Sequence, residues 1–508
     1  MARTTIDDFS ELSQFKIVPA AVRQLPLPFA TQKRVVILGE FNPGSEEEVT
    51  LGMANPNDLE TIHLLSSKWH REIKPVQLTP FEINKALDQG YGDGLAYTNE
   101  HVVNMRSSLV TLESTIPEQV DDVLLRAVGT GASDIHIESY QDDVDVRLRV
   151  DGVLHQLQTF LSPENIAAAV SRIKVLAQLD IGDRRIAQDG RISVVVVDGE
   201  RKNPVDFRVS ILPGPAGEDA VLRVLNPMTG LMPMDKLGFS EEHSKDFQAL
   251  VENPEGAIFV TGPTGSGKTT TLYSALMHLN NGRRKVLTAE DPIEYRLDKI
   301  NQKQVTPSLT MSNLARAFLR QDPDVILIGE VRDQDTAETV SKAASTGHLV
   351  LSTLHTGDCF GVVPRLQSLG LEEDEIAESL VGVLAQRLVR RNCKYCKAEQ
   401  EVSERQASLL GTTVSGATYY AGQGCEHCFE TGYRGRAGLY ELLVVDEELQ
   451  DAIARSEPTT TLRTSARNHG FKTLFEDGIT KAQAGDTSLD ELIRVVPFRQ
   501  IKAMTEQG

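Results

Sequence analysis

Residues 262–269 read Gly262-Pro263-Thr264-Gly265-Ser266-Gly267-Lys268-Thr269. They fit G-x-x-x-x-G-K-[S/T] in full. The apolar run Ala257–Val260 precedes them and the helical run Thr270–Leu279 follows. Strand, glycine-rich loop and helix in that order make a phosphate cradle. Glycines let backbone N–H groups turn inward on phosphate oxygens, and the helix N-terminus adds positive potential. Lys268 can reach the β- and γ-phosphates, and the Thr269 hydroxyl can ligate Mg²⁺. Thr270, at the helix start, completes the nucleotide-binding set. The loop also constrains the architecture. From about residue 236 the strand-like runs Ala257–Val260, Lys285–Thr288, Val325–Ile328 and Leu349–Leu354 alternate with helical segments. That alternation predicts an α/β domain with a mostly parallel sheet.

Such a loop needs an acid near the γ-phosphate. Asp324-Val-Ile-Leu-Ile-Gly329-Glu330 supplies one at the end of a buried strand. An aspartate usually precedes such a glutamate; here the place is Gly329. Glu330 is therefore expected to serve Mg²⁺, the attacking water, or both. A second acidic cluster, Glu290-Asp291-Pro292-Ile293-Glu294, follows the strand Lys285–Thr288. Carboxylates beyond a strand's C-terminal end sit where ligands bind in open α/β sheets. His348 and His355 bracket the strand Leu349–Leu354. A histidine near a γ-phosphate could sense it by hydrogen bonding. Taken alone, each of these residues also suits a structural role.

The chain has 508 residues, enough for several domains. Residues 1–105 carry no phosphate-binding motif and read as a small α/β module, with a strand at Arg34–Leu38 and helices at Leu59–Lys68 and Pro80–Tyr91. Residues 106–235 read as an α+β domain on an antiparallel sheet. Val144, Val146, Leu148 and Val150 alternate with polar residues, and Asp151-Gly152 is a tight turn before the returning strand Val153–Phe160. Ser162-Pro163-Glu164 opens a helix to Leu179. Asp189-Gly190 and Asp198-Gly199 mark further turns around Ile192–Val197. Val205, Phe207, Val209 and Ile211 alternate with Asp206, Arg208 and Ser210. Arg208 thus lies on the polar face of its strand, and its fork suits a transferring phosphoryl group or, equally, a surface salt bridge. Residues 236–508 form the phosphate-binding domain.

No basic-then-apolar leader opens the sequence, and no run reaches the ~18 apolar residues of a membrane span. A cytosolic protein is expected, with any membrane role through a partner. Four of five cysteines form two C-x-x-C pairs, Cys393/Cys396 and Cys425/Cys428, with 28 residues between them. In a reducing compartment this reads as metal ligation before disulfides. Four thiolates make a tetrahedral site suited to structural Zn²⁺. The intervening length exceeds the usual ~15–20 residues, so the loop is expected to be a small subdomain within 390–432. His427 reads as a bystander and Cys359 as a small packed residue.

These motifs resemble those of the ATPases of bacterial type II secretion and type IV pilus assembly. The resemblance runs from about Ile116 to the C-terminus. It includes Gly131-Ala-Ser-Asp-Ile-His-Ile-Glu138, Arg149-Val-Asp-Gly152, Gln188-Asp-Gly-Arg191 and Arg208-Val-Ser210. It continues through the P-loop, Thr288-Ala-Glu-Asp-Pro-Ile-Glu-Tyr295, Leu319-Arg-Gln-Asp-Pro-Asp324 and Gly329-Glu-Val-Arg-Asp333. Gly347-His-Leu-Val-Leu-Ser-Thr-Leu-His-Thr356 and Leu384-Ala-Gln-Arg-Leu388 complete it. Gly357-Asp358-Cys359 departs from the family's more frequent Asn-Asp-Ala. The resemblance implies a RecA-like core preceded by a PAS-like sheet domain, a tetracysteine element, and a homohexamer closing around ATP. It implies that Arg208 and Arg223 of the sheet domain reach a neighbouring subunit's nucleotide, and that Glu290 and Glu330 belong to acidic boxes of the site. It also implies partners: the cytoplasmic part of an inner-membrane secretion-platform protein, docked on the N-terminal module, and a polytopic inner-membrane platform protein.

Two classes of function follow. One is a Mg-ATP-hydrolysing motor that moves a protein partner; the other is a nucleic-acid translocase on the same fold. The formal charge of −20 and an aromatic content of 5% weigh against the second, because tracking a strand needs a basic groove and stacking rings. An intact Lys268, Thr269 and Glu330 disfavour a non-hydrolysing switch. Within the family, Leu25-Pro-Leu-Pro-Phe-Ala30 and Met53-Ala-Asn-Pro-Asn-Asp58 resemble the secretion ATPase's N-terminal domain. The short N-terminal module leaves no room for the extra segment common in pilus ATPases. Type II secretion is therefore the expected system.

Overall fold

The computed structural model describes residues 15–25, 29–30, 33–41, 45, 47–78, 82–83, 86–87, 101–104, 114–198, 201–225, 231–414 and 416–505. The chain divides into two compact units, Met1–Asn104 with Ser193–Asn203, and Met105–Ile192 with Pro204–Gly508.

In the first unit, β1 (Val35–Leu38) runs antiparallel to β2 (Val49–Met53), which runs parallel to β3 (Ile73–Gln77). The helix Leu59–Trp69 links β2 to β3. It starts where the Asp58 carboxylate accepts the Thr61 N–H at 3.1 Å and the Thr61 hydroxyl at 2.7 Å. It stops at His70, whose φ is 53°. Val36, Ile37, Leu51, Met53 and Leu65 fill the core. Both the expected strand and this helix form. Of the expected helix Pro80–Tyr91, residues 82–83 and 86–87 are helical and the rest lies outside the described residues. β4 (His101–Asn104) pairs in parallel with Val194–Val197.

The second unit begins with the helix Ile116–Thr130 and a sheet. Its strands are β5 (Asp134–Ser139), β6 (Val144–Val150), β7 (Val153–Gln156), β8 (Gln188–Asp198) as far as Ile192, β9 (Arg201–Gly214) from Pro204 on, and β10 (Gly217–Leu225), in the order β8-β9-β10-β5-β6-β7. From β9 to β7 each neighbouring pair is antiparallel. Asp151 and Gly152 turn β6 into β7 with φ of 49° and 83°. Two expectations need correction. Asp189-Gly190 is not a turn but extended strand. Gly190 is there because a Cβ would meet the Ala177 carbonyl oxygen and Leu179 Cδ2, each at 2.9 Å. The helix expected from Ser162 to Leu179 is shorter, Ile166–Leu176. Gln178, at φ 57°, lets the Leu179 N–H close back on the Lys174 carbonyl at 2.8 Å.

The larger sheet comprises β11 (Gly256–Thr261), β12 (Val286–Glu290), β13 (Asn301–Gln304), β14 (Val325–Ile328), β15 (Leu349–Leu354), β16 (Leu380–Asn392) and β19 (Tyr433–Val444). The order is β13-β12-β14-β15-β11-β16-β19, parallel except for β19. Every residue of β11, β12, β14 and β15 is buried, as a parallel sheet covered by helices on both faces requires. Ile326, Ile328 and Val350 pack on one face, and Val325, Leu327, Leu349 and Leu351 on the other. The sequence reading missed β16 and β19. Their apolar runs look like any buried segment, and only pairing over most of their lengths marks them as strands.

Between β16 and β19 the chain forms a hairpin of β17 (Lys397–Gln400) and β18 (Tyr419–Gly422) with the helix Glu404–Leu410. Helices Leu474–Gln483 and Leu489–Val495 close over it, burying Val389, Leu410, Tyr419, Leu439, Phe475 and Leu492 together. One buried carboxylate ties β16 to these helices. Glu491 accepts from Arg390 at 2.6 Å and from Arg494 at 2.7 and 2.8 Å. Burial opposes its charge, yet the Arg494 and Arg390 guanidinium groups bring its pKa down to about 2. An acid whose native pKa is depressed contributes stability above its unfolded pKa and loses it as pH falls toward the native value. Glu491→Gln is expected to cost about 3 kcal/mol at pH 7. The gap to wild type should close as pH drops from about 4.5 toward 2, read by denaturant unfolding at each pH.

Candidate functional site

The P-loop leaves the carboxyl end of β11. Gly262, Gly265 and Gly267 take φ of 148°, 77° and 88°, which side chains rarely adopt. Two of them also meet β16 closely. A Cβ on Gly262 would lie 2.4 Å from the Gln386 carbonyl oxygen, and one on Gly267 would lie 3.1 Å from Gln386 Nε2. The helix Lys268–Leu279 follows, with Gly267 as its cap. Lys268 Nζ donates to the Gly262 and Pro263 carbonyls at 2.9 and 3.2 Å. Burial lowers its pKa and the charge of Glu330 opposes that. The lysine is thus tucked into the loop that would hold the phosphates. Thr269 and Thr270 begin the helix beside it.

Because β11, β14 and β15 are parallel and adjacent, their carboxyl ends share one sheet edge. Glu330 follows β14, and His355 follows β15. The two meet with His355 Nε2 at 3.6 Å from Glu330 Oε2, while Arg332 pairs with the other carboxylate oxygen. Only 17% of the Glu330 side chain is exposed. Gly329 stands where an aspartate usually precedes such a glutamate. Its position abuts the end of β12, where a Cβ would sit 3.2 Å from the Ala289 carbonyl oxygen. Thr261, ending β11, accepts the Thr356 N–H at 2.8 Å and so fixes the exit of β15 beside the P-loop.

The other expected residues divide. Glu290 is not a loop residue but the last of β12, with 4% exposure. It accepts from Tyr273 on the P-loop helix, from Thr288, and from Gln302 Nε2 at 3.0 Å. It braces that helix against β12 and β13. His348 is a correction. It precedes β15, its carbonyl accepts the Gly256 N–H at 3.1 Å, and its Nδ1 lies 2.9 Å from the Ala343 carbonyl. That is the amino edge of the sheet, roughly 23 Å from His355 at about 3.3 Å per residue. The spacing of the two histidines is that of a strand crossing the sheet, so only His355 joins the P-loop. Arg208 and Arg223 are direct partners across β9 and β10. Arg223 Nε pairs with Asp134 at 3.3 Å. Arg208 lines a cavity of ≈ 330 Å³ with Glu294, Tyr295 and Gln304.

Sequence reasoning assigned no role to Arg332 or Gln386. The first stands two residues after Glu330. The second is a lone buried amide in the apolar run Leu380–Val389, which is the signal that could have found it.

The two C-x-x-C pairs converge. The Sγ atoms of Cys393, Cys396, Cys425 and Cys428 all lie within 4.8 Å of one another. Cys393–Cys425, Cys396–Cys428 and Cys425–Cys428 sulfur separations are 3.9, 3.8 and 3.7 Å. The Cys425 and Gly432 N–H groups donate to Cys428 Sγ at 3.2 Å each. Burial pushes the Cys428 thiol up, but these N–H groups bring it down to about 7. His427 stacks on Tyr395, ring centres 4.0 Å apart, outside the sulfur cluster. Cys359 is fully buried, its thiol 3.1 Å from the Glu441 carbonyl.

Residues 111–494 match the family described as Type II/IV secretion system protein. The chain belongs to that family. It is an ATP-hydrolysing enzyme of secretion or pilus assembly machinery. Residues 8–96 match the MshEN domain. The type II secretion system protein E of Pseudomonas aeruginosa is 40% identical over 500 residues, 94% of this chain and 97% of that protein. The type IV pilus assembly ATPase PilB of Thermus thermophilus is 40% identical over 434 residues, 83% of this chain but 48% of that protein. The crystal structure of the Legionella pneumophila ATPase DotB aligns with a TM-score of 0.57 at 22% identity, covering 80% of this chain and 100% of that one. That likeness establishes the RecA-like fold.

The tetracysteine element of this secretion ATPase depends on a contact between two glycines. A Cβ on Gly422 would sit 1.8 Å from the Gly432 carbonyl oxygen, and Gly432 is the residue whose N–H reaches Cys428. Gly422→Ala is expected to lower the melting temperature and the metal content per chain together. Differential scanning calorimetry and elemental analysis of the same preparation check this.

Proposed function

We propose that this chain is the Mg-ATP-driven motor of type II protein secretion, working as a homohexamer in pseudopilus assembly. The observation that carries the reading is the shared carboxyl edge of β11, β14 and β15. There Lys268, Glu330 and His355 converge from three strands whose order in the sheet differs from their order in the chain. Lys268 and the P-loop amides would hold the phosphates, and Thr269 with Glu330 would hold Mg²⁺. The ion, when bound, neutralises phosphate charge. Glu330 would orient or activate water, and His355 would hold the glutamate's geometry and register the γ-phosphate. Arg208 and Arg223, paired side by side on the sheet domain, would stabilise transferring charge across a subunit boundary.

Three parts divide the labour in this reading: residues 1–105 dock, 106–235 supply arginines, and 236–508 form the motor. The docking partner is the cytoplasmic part of an inner-membrane platform protein, with a polytopic platform protein receiving the stroke. No helix among the described residues is long and apolar enough to cross a membrane, so the motor is read as cytoplasmic and membrane-attached through those partners. The Pseudomonas secretion protein is 40% identical over 94% of this chain, against 36% over 95% for the PilB of Myxococcus xanthus, and that higher identity supports type II secretion over pilus extension. Nucleic acid is not part of the reading.

Structural Zn²⁺ is the metal we assign to the tetracysteine site. Four sulfurs at a Zn–S distance of about 2.3 Å stand about 3.8 Å apart in a tetrahedron; three of the sulfur pairs here stand 3.7 to 3.9 Å apart and all lie within 4.8 Å. Cys396→Ser should abolish bound zinc; undiminished zinc would refute the assignment.

Steady-state ATPase assays on the assembled protein should show a loss of about 10²–10⁴-fold for Glu330→Gln. Retained turnover would remove Glu330 from its role. Deleting the gene should leave exported enzymes inside the cell while surface pili persist. The reverse phenotype would transfer the chain to pilus assembly.

A further inference from the structure

Gln386 lies on β16 with 1% exposure, directly behind the P-loop. Its Nε2 donates to the Ser266 carbonyl at 2.6 Å, and its Oε1 accepts from the Thr271 hydroxyl at 2.8 Å. Those partners settle the amide's orientation, since a carbonyl needs a donor. Thr271 stands in the first turn of the P-loop helix, its N–H bonded to the Gly267 carbonyl at 3.1 Å. One side chain therefore grips the last peptide of the loop and the first turn of the helix at once.

The peptide joining Ser266 to Gly267 is planar and trans, so its C=O and N–H point in opposite directions. Holding the Ser266 carbonyl toward β16 aims the Gly267 N–H away from β16, into the concavity where phosphate oxygens sit. Gly267, at φ 88°, has no steric preference of its own that would fix this direction. Gly262 and Gly267 must both lack side chains for β16 to come this close.

From this geometry we propose that Gln386 is a positioning residue for the nucleotide, one that sets the direction of a phosphate-binding backbone N–H without touching the nucleotide. The inference rests on the phosphate-binding role of the P-loop. Its specific consequence is a loss shared by ATP and ADP, because the helix-end amides serve the inner phosphates.

The test compares wild type with Q386L, Q386E and T271V, full chain, by calorimetric titration with ATP and ADP and by thermal unfolding without nucleotide. Q386L removes both bonds. Q386E keeps the shape and the bond from Thr271, and once its buried carboxyl is ionised it cannot donate to Ser266, so its titrations are run at alkaline pH. Both should raise Kd for ATP and ADP about 10- to 100-fold. KM should rise accordingly, while kcat changes less than about threefold. T271V leaves the Ser266 bond in place and should change Kd less than about threefold. Unchanged ADP affinity in Q386L and Q386E overturns the proposal. So does collapse of the nucleotide-free fold in both, which would make Gln386 a core requirement only. Failure of wild type to bind ADP would instead refute the P-loop reading itself.

Discussion

Parallel pairing of β11 with its neighbours is the constraint on which the rest of the second unit depends. Parallel strands present all their carboxyl ends at one edge, and the buried sheet fixes that edge rigidly. The P-loop, Glu330 and His355 each begin where a strand stops. None of them is held by long-range contacts of its own side chain alone; each inherits its place from hydrogen-bond register. The same rule sends His348 to the far edge. A strand of six residues converts a neighbouring position in the motif into a distance too great for shared chemistry.

Burial of polar groups follows from that edge as well. Glu290 and Gln386 are almost wholly buried, and each is hydrogen-bonded to the P-loop or its helix. Buried polar atoms without partners cost free energy, so such residues persist where they position something. They clamp the nucleotide loop from two sides, Glu290 through β12 and Gln386 through β16. β16 then runs on, with a shift in its register against β19 between Arg390 and Asn392, to end at Asn392, and Cys393 follows. Asn392 donates to the Tyr420, Gly485 and Thr487 carbonyls at 3.0, 3.2 and 2.8 Å. The tetracysteine element is therefore an insertion between two paired strands of the central sheet, anchored to it by backbone as well as by packing.

Much of this was legible in residues alone. The P-loop announces itself because few loops place three glycines, a lysine and a threonine at that spacing between a strand and a helix. Two C-x-x-C pairs announce a sulfur cluster for a similar reason. The alternation around Arg208 correctly put it on a polar strand face. Other readings failed where local sequence carries two meanings. Asp189-Gly190 has turn chemistry, but its glycine serves a close approach to Ala177. Glu290 looks like a solvated acid until Tyr273 and Gln302 are brought to it from 17 and 12 residues away.

Sequence by itself determined the phosphate-binding loop, the buried parallel core and the cysteine set, because each is encoded within a few consecutive residues or a strict spacing. Tertiary structure decided which acid and which histidine stand at the loop, and that Gln386 grips it. Those facts depend on strand order, which is fixed by packing of segments far apart in the chain; a lone amide in an apolar run marks Gln386 but not what it grips.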